Sequence, residues 1–102
     1  MKIDRNRSFL LLVDVQERLV PAMAEAESLL ANAAILLKAA TRLGIPLLAS
    51  EQYPKGLGPT VSALAALLPP DSIQQKTAFS CADDPALIAR IPGLARPQAV
   101  IC

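Results

Sequence analysis

Histidine is absent from all 102 residues. Its absence removes the side chain most often used as a general base and most often found on a metal ion. Tryptophan is also absent, and aromatic residues make up 3% of the chain, so a core must be built from leucine, alanine, valine and isoleucine. Hydrophobic residues reach 53%, which excludes an intrinsically disordered chain. The formal net charge of +1 carries no nucleic-acid footprint and no electrostatic membrane anchor. Cys81 and Cys102 are the whole cysteine content, too few and too widely spaced for a disulfide framework or a metal-type pair. The charged opening MKIDRNRS is not followed by a long apolar segment with a small-residue cleavage site, and FLLLV (9–13) falls far short of the ~20 residues that span a bilayer. These absences predict a soluble, reduced, cytoplasmic protein with no resident cofactor.

What is present has an alternating order. FLLLV (9–13) is an uninterrupted apolar run of the kind that forms a strand buried on both faces, although periodicity alone leaves a buried helix open. ERLVPAMAEAE (17–27) reads as a loop with a short turn around Pro21. From about Glu27 to Leu43, apolar residues at Leu30, Ala33, Leu37, Ala40 and Leu43 follow helical spacing. Gly44 suits the position after the helix end, and Pro46 prevents continuation. IPLLAS (45–50) reads as a second strand and EQYPKGLGP (51–59) as a turn-rich loop. A helix over Thr60–Leu68 is stopped by Pro69 and Pro70, and a third, weak strand lies in 72–75. Asp84 and Pro85 mark the start of a helix that runs to about Ile91, and 98–102 begin a fourth strand.

Strands alternating with helices predict a three-layer α/β/α open parallel sheet of Rossmann-like type, joined by right-handed crossovers. The last strand has no helix after it to cover the sheet. The 102 residues therefore read as the N-terminal part of a single longer domain, truncated after the fourth strand. A minimal fold ending on an edge strand is the alternative.

In such sheets ligands gather at the carboxyl ends of the strands. Asp14 ends the first strand, Ser50 and Glu51 the second and Lys76 the third. Adjacent strands lie ~4.8 Å apart, so a lysine at one strand end can reach a carboxylate two strands away. Each residue also has a plainer role: Asp14 as a turn residue, Lys76 as a solvated lysine, the two as a structural ion pair, Cys81 as a small packing residue. Tyr53 and Phe79 fall near the same edge, where they line an apolar pocket or fill the end of the core. GLGP lacks the spacing of a phosphate-binding loop.

In combination, LLVDVQERL (11–19), RLGIPLL (42–48), SEQYPKGLGPT (50–60) and QKTAFSC (75–81) resemble the isochorismatase-like cysteine hydrolases, and EQYPKGLG is nearest to the isochorismatase domain-containing group. The resemblance runs from about Ser8 to the end of the chain. It implies an isochorismatase-type fold and an Asp-Lys-Cys site acting on a small carbonyl, amide or vinyl-ether substrate. Asp14 matches the aspartate and Lys76 the lysine. The family's nucleophilic cysteine lies in a Gly-rich stretch after the fourth strand, so neither Cys81 nor Cys102 matches it. Gln16 is expected to fix the aspartate or touch substrate, with Tyr53 and Phe79 beside it; a plain surface polar residue is the equal alternative. The nicotinamidase branch binds a metal through an Asp-x-His after the second strand; Glu51-Gln52-Tyr53 stands there, so no metal site is expected. A homo-oligomer without nucleic-acid or membrane partners completes the expectation. The rival is a non-catalytic oligomerising protein that keeps this fold.

Overall fold

The computed structural model describes residues 2–102. Its regular elements are β1 (Ser8–Val13), α1 (Ala26–Leu43), β2 (Leu47–Gln52), α2 (Pro54–Leu57), α3 (Ser62–Ala65), β3 (Ile73–Lys76), α4 (Pro85–Arg90) and β4 (Gln98–Ile101). The strands form one sheet in the order β3-β2-β1-β4, and every pairing is parallel.

β1 is central because its residues can be buried on both faces. Leu10 and Leu12 point to one side and pack with Ala33, Leu37 and Ala40 of α1 and Leu64 of α3. Phe9 and Leu11 point to the other and pack with Leu48 and with Leu87 of α4. The period-two alternation of a strand thus divides one apolar run between two helical layers. α1 ends as expected: Gly44 adopts φ 70°, and its N–H bonds back to Ala40 and Thr41. Asp84 caps α4 through a 2.8 Å bond from Leu87 N–H.

Several boundaries differ from the sequence expectation. β2 is shifted two residues towards the C-terminus because parallel pairing with β1 aligns Leu10 with Leu47 and Val13 with Ser50. The loop after it contains one helical turn, α2. The expected helix over 60–68 keeps regular geometry only in α3. Its first residue, Thr60, is instead drawn into an antiparallel bridge with Gln16. The turn expected near Pro21 is a short 3-10 helix over Val20–Ala22. β3 includes Lys76 as its last residue.

The chain leaves β1 for β2 and β3 on one side, then returns to place β4 on the other. The strand order therefore reverses beside β1, and the crevice for a ligand in an open sheet lies at that point, beyond the carboxyl ends. Asp14 is the first residue after β1.

Candidate active site

Asp14 has a left-handed backbone, φ 53°. Few side chains tolerate this conformation, and aspartate is among those that do. Leaving β1 this way, Asp14 donates its N–H to Ser50 O at 3.1 Å. Its carboxylate is shared between two donors: Oδ1 accepts from Ser50 Oγ at 2.7 Å and Oδ2 from Lys76 Nζ at 3.0 Å. The Lys76 side chain is fully buried, whereas 21% of the Asp14 side chain remains exposed.

A buried ammonium must be paired and hydrogen-bonded to be tolerated. Lys76 Nζ meets four oxygens: Asp14 Oδ2, Gln52 Oε1 at 2.6 Å, Phe79 O at 2.9 Å and Ala78 O at 3.1 Å. Four acceptors for three N–H groups leave no proton unused. The segment after β3 therefore turns around its own lysine, which fixes the path of residues 77–80.

A second set of contacts shapes the loop between β2 and α3. Gln16 is fully buried; its Nε2 donates to Gln52 O at 2.9 Å and to Gly58 O at 2.8 Å, and its Oε1 accepts from Gln52 N at 2.7 Å. Glu51, also buried, accepts from both the N–H and the hydroxyl of Thr60 at 2.7 and 2.8 Å. Between these anchors Tyr53 adopts φ 39° and Gly58 φ 79°. The Tyr53 ring lies over Gly56 so closely that a Cβ there would meet it at 2.5 Å.

The model of the isochorismatase domain matches residues 8–102. The chain belongs to the isochorismatase family. It is 40% identical over 101 residues to isochorismatase domain-containing protein 2 of Danio rerio, covering 98% of this chain and 49% of that protein. It is 42% identical over 95 residues to isochorismatase domain-containing protein 2A of Mus musculus, covering 92% and 44%. The chain thus spans about half the length of the curated relatives it matches. Among solved structures, the MAR1 ribonuclease of Caenorhabditis elegans superposes with a TM-score of 0.87 at 29% identity, covering 99% of this chain and 52% of that one. The Escherichia coli ycaC gene product, described as an octameric hydrolase of unknown specificity, has the same fold: TM-score 0.87, 22% identity, 98% and 51% coverage.

In this isochorismatase-family chain the five residues singled out by sequence take different places. Asp14 and Lys76 are brought into direct contact. Gln16 stands behind them, its amide spent on the loop. Tyr53 is half exposed and lines an open depression of about 320 Å³ with Pro54, Lys55, Gln75, Lys76, Thr77 and Asp84. Phe79 lies 95% exposed, and only its carbonyl touches the site, through Lys76. A larger depression, about 620 Å³, lies beside Lys2, Arg7 and Gln98 near the amino ends of β1 and β4, so cavity size does not mark the site.

The sequence placed Ser50 among the strand-end residues but gave neither Ser50 nor Gln52 a role in the site. Both contact the ion pair, and their only signal was a polar side chain at the end of an apolar strand. Cys81 also approaches, its Sγ 3.6 Å from Ser50 Oγ. Cys102 sits beside β1, exchanging backbone hydrogen bonds with Leu11 and Val13, and burial pushes its thiol up from the ordinary range. Among the described residues, no group of three histidine, cysteine, aspartate or glutamate side chains converges as metal ligands do. Glu51 and Gln52 are instead committed to Thr60 and Lys76.

Proposed function

We propose that the protein is a hydrolase of small carbonyl, amide or vinyl-ether compounds, in which this chain contributes Asp14 and Lys76 to an Asp-Lys-Cys site. The nucleophilic thiol belongs to chain that follows β4. One observation carries the proposal: a fully buried lysine is paired with a partly exposed carboxylate at the point where the strand order reverses. A purely structural ion pair has no need of that position.

An ordinary cysteine, with a pKa of ~8.5, is mostly protonated at neutral pH and then a poor nucleophile. The Lys76 ammonium favours the thiolate, and Asp14 accepts the thiol proton. Sulfur then attacks the carbonyl carbon, and the C–N or C–O bond breaks as Asp14 returns the proton to the leaving group. Water next attacks the thioester with Asp14 again as base, which releases the acid and restores the thiol. Aspartate thereby performs the proton transfers of the missing imidazole. A vinyl ether is cleaved with Asp14 alone as acid and base. Gln16 serves by holding the loop that carries Tyr53, whose ring lines the approach for substrate, while Phe79 contributes its carbonyl to Lys76. The reading extends to a cytoplasmic homo-oligomer, its oligomeric half in keeping with the octamer described for the Escherichia coli protein.

The test uses the full-length protein and a panel of small amides, esters and vinyl ethers. A short RNA joins the panel because the worm relative is a ribonuclease. Asp14→Asn should lower turnover on the best substrate by ~100- to 10,000-fold, the usual contribution of a general acid–base group. Normal turnover in Asp14→Asn would refute the assignment. No activity on any member, together with a stable oligomer, would favour the non-catalytic reading, in which the buried pair only orders residues 77–80.

A further inference from the structure

We infer that Ser50 is a positioning residue for the reaction, which sets the orientation of the Asp14 carboxylate from the strand that separates it from Lys76. The inference rests on the catalytic reading of Asp14 given above.

Ser50 grips Asp14 at two points. Its carbonyl accepts the Asp14 N–H at 3.1 Å, and its hydroxyl donates to Oδ1 at 2.7 Å. The first bond holds the left-handed backbone. The second fixes the rotation of the carboxylate plane. Ser50 is only 1% exposed, so no solvent competes for the hydroxyl. A serine hydroxyl has a single proton, and an ionised carboxylate can only accept. The direction of the 2.7 Å bond is therefore set, with the proton of Ser50 on the line to Oδ1. Cys81 reinforces this direction: its S–H, a weak donor, lies 3.6 Å from Ser50 Oγ and is placed to donate to it.

The strand register explains why this residue has the task. β2 lies between β1 and β3, with Val13 beside Ser50 and Gln52 beside Lys76. Ser50 and Gln52 are two residues apart, so their side chains leave the same face of the strand. Ser50 reaches across to Asp14, and Gln52 Oε1 reaches across to Lys76 Nζ at 2.6 Å. Gln52 is itself oriented by a 2.9 Å bond from its Nε2 to Thr77 O, which presents its oxygen to the ammonium. β2 thus holds both halves of the pair at a set separation.

The chemical consequence concerns how the carboxylate is held while the proton travels. Oδ1 accepts from Ser50 and Oδ2 from Lys76, so both oxygens are fixed and each keeps a lone pair for the proton that Asp14 takes from a thiol. The Ser50 hydroxyl continues to donate to Oδ1 in both protonation states, so the carboxyl group does not turn between the two halves of the reaction. Without the hydroxyl the carboxylate keeps only its Lys76 donor, and its plane is held at one oxygen instead of two.

Ser50→Ala in the full-length protein tests this, because it removes only the hydroxyl. The expected result is kcat lowered about tenfold, equivalent to about 1.4 kcal/mol of barrier, with KM within about twofold of wild type. Adding Ser50→Ala to Asp14→Asn should give no further loss, since the serine acts only through the carboxylate. Wild-type kcat in Ser50→Ala, while Asp14→Asn is inactive, would overturn the role of Ser50 and leave the functional reading intact. Full turnover in Asp14→Asn would remove both. A Ser50→Ala loss of equal size in the Asp14→Asn background would show that the hydroxyl acts on something other than Asp14, and would also overturn the inference.

Discussion

Lys76 is the residue whose environment departs most from what a lysine usually finds. Surface lysines tolerate substitution within about 0.5 kcal/mol. Lys76 is buried and satisfies four oxygens, one of them a carboxylate. Lys76→Met would leave all four without a donor, and breaking buried ion pairs in this way costs on the order of 3–5 kcal/mol. Asp14 keeps some solvent exposure, so the lower part of that range is expected, read as a shift of the urea midpoint. A midpoint within error of wild type would show the ammonium to be dispensable for the fold. The consequence for catalysis is direct: loss of turnover in Lys76→Met mixes unfolding with chemistry. Asp14→Asn, which keeps the shape of the side chain, is the cleaner probe.

At the scale of the element, the loop from Tyr53 to Thr60 is held by buried side chains rather than by regular structure. Gln16 satisfies the N–H and C=O of Gln52 and the C=O of Gly58. Gln16→Leu would fill the space and strand those backbone groups, each of which costs ~1–3 kcal/mol when buried and unpaired. A destabilisation of at least ~2 kcal/mol in urea unfolding is expected, and a smaller one would mean that the loop finds other partners. Gly56 is sensitive for another reason. Its position against the Tyr53 ring leaves no room for a methyl group. Gly56→Ala should displace the ring, with a change in emission of Tyr53, the single tyrosine among these 102 residues. Unchanged emission would place the ring elsewhere.

For the molecule as a whole, pH enters through Cys102. Desolvation favours its neutral thiol, so the folded-state value lies above the unfolded one. The unfolded chain then loses this proton first as pH rises. Stability from this group is intact below about 9.0 and declines as pH climbs through and beyond that value. Denaturation series from pH 7 to 10.5 (an alkaline range set by ordinary thiol titration, ~8.5 to 9) should show the decline, and Cys102→Ser should remove part of it. The same burial makes Cys102 slower than an ordinary thiol towards iodoacetamide at neutral pH. Rapid alkylation of Cys102 would contradict the packing beside β1. No helix among the described residues is long and apolar enough to cross a membrane.

Local chemistry determined much of this protein. The unbroken run FLLLV could only be a strand buried on both faces once helices alternated with strands. Gly44 and Asp84 marked helix ends because one permits a positive φ and the other caps free N–H groups. The polar residues that end β1 and β3 placed Asp14 and Lys76 at one sheet edge, since parallel strands share a direction. Tertiary structure decided the rest. The identity of the strand between those two residues depends on sheet order, which no local pattern encodes. The register of β2 follows from pairing with β1, so Ser50 rather than a neighbour faces the carboxylate. Gln16, Glu51 and Gln52 are polar residues of ordinary appearance in sequence. Their burial follows only from where the loop folds back, because a hydrogen bond between residues 36 or 42 positions apart exists only once the chain has closed.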